Sequence, residues 1–182
     1  MAKQDFIDWV ERQGQTLRRK LALSPTQPLD PYKLATVMQV TVFTPYDIEG
    51  FSVSSIELLL GTASDGWSAG ALWSPDGHAV VVMNPQHAQT RRHATLMEEL
   101  SHIHLKHKPT KLIITESGIA MRDYSKSKET EAYWVGSAAL VPKVILISAK
   151  NNGANRNMVA SNCGVSGDLV RLRENVTGIH LW

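Results

Sequence analysis

The spacing of apolar residues along the chain changes at Asn84-Pro85, and this change limits the possible folds more than any other feature of the sequence. Before it, the runs "AGALW" and "HAVVVMN" are short, apolar and rich in β-favouring residues, and the "SPDG" between them has the composition of a tight turn. After it, "QTRRHATLMEELSHIHLKH" has the pattern of a helix that ends at Lys108-Pro109. We therefore expect a β-hairpin followed directly by a helix.

Helical signals dominate on both sides of this unit. Upstream, apolar residues recur at helical spacing from Gln4 to about Leu23. The segment "DPYKLATVMQV" then predicts a short helix capped by Asp30, and "VTVF" predicts a strand. Downstream, we expect a helix from about Ser127 to Val141 and two short helices within "NRNMVASNCGVSGDLVRLRENVTG".

Composition narrows the classes of function. The 182 residues carry 19 basic and 17 acidic side chains, and a net charge of +2 gives no reason to expect nucleic acid as a direct partner. Cys163 is the single cysteine, which excludes an internal disulfide and favours a reducing compartment. The sequence shows no signal-peptide pattern and no apolar stretch approaching the roughly 20 residues that span a bilayer. We expect a cytoplasmic protein with no membrane partner.

The stretch "EELSH" carries the candidate chemistry. On a helix, Glu98 and His102 lie four residues apart on one face, with Glu99 beside them. In the HExxH arrangement the two end positions bind a metal ion, and the internal glutamate accepts a proton from the attacking water. Here the motif is EExxH, so Glu98 and His102 are the candidate ligands and Glu99 is the candidate general base. The best candidate for a third ligand is Glu131, which precedes a run of small and apolar residues on the later helix.

Three further histidines and the cysteine are given structural roles. His104 is two residues from His102 and should point to a different face of the helix. His93 precedes the motif by more than one turn, and Cys163 lies in an apolar context typical of a core residue. His107 lies near the helix end, where it either favours the helix dipole or supports a metal ligand indirectly.

Three landmarks of the chain occur in an order that resembles the ImmA/IrrE family of metallo-endopeptidases. They are an apolar strand that ends in Asn84, the Thr95-Leu96 lead-in to the motif, and a Glu131-Ala132 helix that ends at Pro142. The likeness covers most of the chain. It departs from the family pattern at Glu98, where the family has histidine. Within this resemblance, His102 and Glu131 match metal ligands and Glu99 matches the catalytic base.

The resemblance implies an α+β, zincin-like fold. A metal-binding helix packed on a small mixed sheet is expected within residues 1–145. A helical part that resembles a helix-turn-helix in sequence, packed on the same domain, is expected within residues 146–182. Zinc (Zn²⁺) is the expected ion, and manganese (Mn²⁺) or iron (Fe²⁺) are alternatives because Glu98 adds an oxygen ligand.

The resemblance also implies a site-specific endopeptidase that cleaves an intracellular protein, such as a helix-turn-helix transcriptional repressor. Glu98 leaves a second hypothesis open. The chain would then be a catalytically impaired, peptidase-fold regulatory module that binds a repressor or another partner without cleaving it.

Overall fold

The computed structural model describes residues 3–61, 64–73, 78–108, 111–114 and 120–182. Its helices are α1 (Lys3–Arg19), α2 (Pro31–Val37), α3 (Val53–Leu60), α4 (Gln89–His104), α5 (Lys126–Leu140), α6 (Lys143–Asn151), α7 (Arg156–Cys163) and α8 (Gly167–Thr177). Its strands are β1 (Val40–Phe43), β2 (Ala69–Trp73), β3 (Ala79–Met83), β4 (Lys111–Ile114) and β5 (Ala120–Asp123). The fold is therefore α+β, as the sequence predicts.

A small mixed sheet packs against α4. Its strand order is β1-β3-β2, with β1 parallel and β2 antiparallel to the central β3. Val81 is the register partner of both Val42 and Ala71. The predicted hairpin is confirmed by the β2–β3 pairing, and its "SPDG" connection at 74–77 lies outside the described residues. Strand β2 is consequently at an edge of this sheet.

Helix α4 packs its apolar face onto the sheet. Leu96, Met97 and Leu100 have no exposed surface, and they share one hydrophobic core with Ala71 and Val81 of the strands. This is the predicted packing of the motif-bearing helix on a small sheet. Because three fully buried side chains hold α4 in place, the intervening polar residues of the motif have a fixed direction.

Helix α5 lies between α1 and α4, and a glycine makes each close approach possible. A Cβ atom at Gly14 of α1 would lie 2.9 Å from the backbone of Ala138 in α5. A Cβ atom at Gly136 of α5 would lie 3.1 Å from the backbone of Met97 and 3.3 Å from the nitrogen of Glu98. The backbones therefore touch, and α5 is fixed against α4 at the start of the EExxH motif.

The C-terminal helices continue the same core. The two predicted short helices correspond to α7 and α8, and Gly164 between them adopts the left-handed conformation (φ 63°) that ends α7. Leu169 and Val170 of α8 belong to the same hydrophobic cluster as Val10 of α1. The expected boundary at residue 145 falls inside α6.

One described stretch, Lys126–Asn151, is long and apolar enough to cross a membrane by length and composition, although no such stretch is expected from the sequence. Pro142 divides this stretch between α5 and α6, and 67% of its most apolar window is buried. Its apolar surface is therefore used to build the protein core against α1 and α4.

Candidate metal centre

Three side chains from two helices converge on one point. Glu98 and His102 of α4 and Glu129 of α5 offer ligand atoms that all lie within 4.8 Å of one another. The Nε2 atom of His102 is 3.4 Å from Oε2 of Glu129. Two carboxylates and one imidazole are a donor set suited to a divalent transition metal. The described residues therefore contain a candidate metal centre at the predicted motif.

The position of Glu129 follows from the packing of α5 on α4. Glu129 and Gly136 are seven residues apart, which is close to two full helical turns, so they occupy the same face of α5. Gly136 is the residue that contacts the α4 backbone at Met97 and Glu98. The side chain of Glu129 is thus directed toward the same part of α4, two turns nearer the start of α5.

Glu131, the predicted third ligand, is not part of this group. A shift of two residues along a helix rotates the side chain by about 200°. In the structure, Oε2 of Glu131 lies 3.2 Å from Nε2 of His107, and Ser127 Oγ donates to its Oε1 at 3.4 Å. The structure brings together two of the three predicted ligands, Glu98 and His102. Glu131 contacts His107 and lies outside this group.

The three candidate ligands line a cavity of about 260 Å³ between α4 and the edge of the sheet. Glu99, the predicted general base, is on the wall of the same cavity. The remaining walls are Ser68, Ala69, Gly70, Ala71, Thr95 and Tyr124. A small molecule or a short peptide segment that enters the cavity therefore meets the ligand group, the glutamate and strand β2 at once.

Electrostatics favour a cation at this position. Burial, followed by the negative charge of Glu129, raises the pKa of the Glu98 carboxyl to about 7. Two carboxylates that lie close together in a partly buried site repel each other when both are ionised. A divalent ion removes that repulsion, so the residues present fit a bound metal on the charges of the site itself.

His102 is held in the neutral form that binds metals. Its side chain is 2% exposed, and burial, followed by the neighbouring His107 and Lys128, lowers the pKa of His102 to about 4. The Tyr124 ring stacks on the imidazole with centroids 3.9 Å apart. The imidazole therefore needs to lose no proton at neutral pH before it can bind a metal.

The other histidines of α4 take part in packing. His104 Nε2 pairs with Gln13 Oε1 of α1 at 2.9 Å, and His93 Nδ1 lies 3.0 Å from the carbonyl oxygen of Gly164. Cys163 is a buried core residue, and burial raises the pKa of its thiol to about 11. These contacts agree with the structural roles predicted for all three residues.

Two contributors to the site, Glu129 and Tyr124, were missed in the sequence. Glu129 could have been found from its two-turn separation from Gly136, since small residues mark the face on which helices approach closely. No local pattern distinguishes Tyr124, because its contact with His102 depends on how the chain enters α5 from β5.

Comparison with known proteins agrees with the geometry. The sequence profile of the IrrE N-terminal-like domain, a peptidase family, matches residues 59–173, which is more than half of the chain and includes every residue of the candidate centre. No curated protein matches the chain. On the strength of the profile match and the Glu-His-Glu group, the chain belongs to the ImmA/IrrE family of metallopeptidases.

Proposed function

We propose that this protein is a metal-dependent endopeptidase that hydrolyses a peptide bond in another protein. The observation that carries the proposal is the convergence of Glu98, His102 and Glu129 in a cavity that also contains Glu99. Ligands and a candidate base in one cavity are what metal-assisted hydrolysis requires. Membership of a metallopeptidase family supports the same reaction class.

In this proposal Glu98, His102 and Glu129 would hold the ion, and Glu99 would act as the general base and then as the general acid. A divalent metal supplies a Lewis acid that polarises the scissile carbonyl and acidifies water. A carboxylate oxygen of Glu99 accepts a proton from the attacking water and delivers it to the departing amide nitrogen. Because Glu99 follows Glu98 directly on α4, the helix that positions the ligands also positions the base.

Strand β2 offers a surface for the substrate backbone. It lies at the edge of the sheet, and residues 68–71 line the cavity beside the ligands. A Cβ atom at Gly70 would have no neighbour within 4 Å, so there is room above the strand. An extended peptide that lies along residues 68–71 would cross the ligand group, which favours a polypeptide substrate.

The ion that we propose is zinc, with manganese or iron as alternatives. Two carboxylates and one neutral imidazole cancel the charge of a divalent ion, whereas the HExxH site with one carboxylate keeps one positive charge. A less electropositive centre polarises a carbonyl less, so we expect slower hydrolysis at neutral pH than in a two-histidine site. The additional oxygen ligand makes the harder ions more competitive.

We propose that the substrate is a cytoplasmic protein, such as a helix-turn-helix repressor. This part of the proposal comes from the resemblance to the ImmA/IrrE family, and the cavity itself is compatible with any extended peptide segment.

The first experiment compares the wild-type protein with Glu99→Gln. Both proteins are loaded with zinc, manganese or iron and incubated with a lysate of the source cells, and new protein N-termini are identified by mass spectrometry. The proposal predicts that the wild type creates a small set of N-termini, and that Glu99→Gln binds the metal but creates none. Glu57→Gln removes an exposed carboxylate on α3 and is the matched control, which should behave as the wild type.

Two results would contradict the proposal. Cleavage by Glu99→Gln at the wild-type rate would mean that Glu99 is not the base. An absence of cleavage by the metal-loaded wild type, with a gain of cleavage in Glu98→His, would instead support a regulatory module that binds its partner without cutting it.

A further inference from the structure

A chain of contacts runs away from the metal centre on the far side of His102. Its Nδ1 atom is 3.0 Å from Nδ1 of His107, and Nε2 of His107 is 3.2 Å from Oε2 of Glu131. The opposite ring nitrogen of His102, Nε2, faces Glu129 at 3.4 Å. His102 therefore has one nitrogen in the ligand group and the other in a polar pair made by His107 and Glu131.

We propose that Glu131 and His107 are positioning residues that fix the tautomer of His102, so that the unprotonated Nε2 faces the metal centre. The inference rests on the proposed metal site, although the tautomer itself is a property of the metal-free chain. It gives Glu131 a defined role that differs from that of Glu129, two residues earlier on the same helix.

The positions of the hydrogens in this contact chain are fixed from Glu131 inward. An ionised carboxylate only accepts hydrogen bonds, so Nε2 of His107 must carry the hydrogen and donate it. The Nδ1 atoms of His107 and His102 lie 3.0 Å apart, and a hydrogen bond between them requires one of the two to be unprotonated. A neutral His107 ring with its hydrogen on Nε2 has this unprotonated Nδ1. That Nδ1 accepts from Nδ1–H of His102. A neutral His102 with its hydrogen on Nδ1 has its lone pair on Nε2.

The opposite case, an outer group that donates a hydrogen bond to His107, shows why an acceptor such as Glu131 is needed. If the outer group were a donor, His107 would carry its hydrogen on Nδ1 and donate it to His102. His102 would then carry its own hydrogen on Nε2, directed at the ligand group, where it prevents metal binding. The identity of the outermost group therefore decides which nitrogen of His102 is available.

His102 and His107 are buried, so their contacts decide which nitrogen of His102 carries the hydrogen. The side chains of His102 and His107 are 2% and 7% exposed, so bulk water cannot readily replace either partner. The stacked ring of Tyr124 limits reorientation of the His102 imidazole. Glu131 is 34% exposed, so its carboxylate reaches solvent on one side while it accepts from His107 on the other.

The first test reads the tautomers directly in the metal-free protein, by nitrogen-15 NMR of labelled histidine. We expect His102 with its hydrogen on Nδ1 and His107 with its hydrogen on Nε2. Glu131→Gln presents both an acceptor and a donor to His107, so both tautomers of His102 should become populated. His104→Ala and Glu57→Gln are the matched controls, and neither should change the His102 signals. Hydrogen on Nε2 of His102 in the wild type would overturn the inference.

The second test measures the dissociation constant of zinc by competition with a chelator. Loss of an outer-shell partner typically weakens metal binding by about 10- to 100-fold, and we expect Glu131→Gln and His107→Ala to fall in this range with one ion still bound per chain. The double variant should bind zinc no more weakly than His107→Ala alone, because Glu131 acts through His107. Fully additive losses would contradict this dependence.

The variant Glu129→Gln distinguishes a failure of this inference from a failure of the proposed function. We expect it to weaken zinc binding more than Glu131→Gln does, since it alters a ligand. If Glu131→Gln abolished binding while Glu129→Gln left it intact, Glu131 would be the ligand; the positioning role would be overturned and the metal site would stand. If the wild type showed the expected tautomers but bound no metal, the proposed function would fail and the tautomer assignment would be supported.

Discussion

Glu98 is the residue that most distinguishes this candidate metal centre from the two-histidine form. It adds a negative charge next to Glu129, and burial together with that charge raises the pKa of Glu98 to about 7. A partly buried glutamate with such a raised pKa binds a proton at mildly acidic pH, where an ordinary glutamate does not. If Glu98 is a ligand as proposed, protons and metal ions compete for it close to physiological pH.

Metal affinity should therefore depend on pH with a defined sign. Below about pH 7 the ion must displace the Glu98 proton, so the dissociation constant for zinc should rise about tenfold for each unit that the pH falls. Above that pH the Glu98 carboxyl is already deprotonated, so the affinity for zinc should no longer change with pH. His102, whose pKa is lowered to about 4, adds competition only at lower pH.

Chelator competition across this pH range measures the effect, and Glu98→Gln provides the control. Its neutral amide has no proton to lose, so its weaker affinity should lack the slope below pH 7. An unchanged slope in Glu98→Gln would show that another group is responsible.

Single residues also show how far the sequence could predict the site. The i, i+4 spacing of Glu98 and His102 is a local property of a helix, and it was enough to place both on one face. Choosing between Glu129 and Glu131 required the orientation of α5 against α4. That orientation is decided by the contact of Gly136 with Met97, which is a tertiary feature.

At the scale of elements, the geometry of the candidate metal centre depends on how closely α5 approaches α4. Local patterns predicted α1, α2, α4, α5, α7, α8 and the β2–β3 hairpin, because these carry clear periodicity, caps or turn residues. They did not indicate α3, α6 or the β4–β5 hairpin. Helix α6 directly follows Pro142, and this proline is as consistent with the start of a new helix as with the end of the previous one.

Two matched glycine substitutions test the role of this approach. Gly136→Ala would place a Cβ 3.1 Å from the backbone of Met97, and Gly14→Ala would place one 2.9 Å from that of Ala138. Alanine favours a helix by up to about 1 kcal/mol over glycine, but overpacking against a rigid backbone typically costs about 1–3 kcal/mol. Both variants should therefore lower the free energy of unfolding.

Only Gly136→Ala should also weaken zinc binding, since it displaces α5 from α4 next to Glu98. Thermal unfolding and chelator competition measured on both variants would check this. If Gly14→Ala weakened zinc binding as strongly as Gly136→Ala, the contact between α5 and α4 would not be what positions the ligands.

At the scale of the whole molecule, the helices that carry the candidate ligands are held in place by parts of the chain that are far apart in sequence. The buried Arg173 of α8 donates to the carbonyl oxygen of Val141 and pairs with Glu11 of α1. Together with the shared core, this contact joins the first and last helices around α5. Both ligand-bearing helices are therefore held by the complete fold, and residues outside the motif contribute to the geometry of the centre.

The β2–β3 hairpin and the helix after it were predictable because strand and helix patterns alternate clearly in the middle of the chain. The α+β class and the mixed sheet beneath α4 were expected from the resemblance to the ImmA/IrrE family. The continuity of the core from α1 to α8 was not predictable, because it depends on side chains with no local signature. Arg173 is an example: in the sequence it belongs to an ordinary charged helix, whereas in the structure its side chain is fully buried.

The most direct test of the proposed metal centre is anomalous X-ray diffraction, at the zinc absorption edge, from crystals of the zinc-loaded protein. We predict one strong peak, about 2.0–2.2 Å from a carboxylate oxygen of Glu98, from Nε2 of His102 and from a carboxylate oxygen of Glu129. Glu131 should remain on His107 without contacting the ion. A peak bound to Glu131 in place of Glu129, or no peak between α4 and α5, would contradict the proposed metal centre.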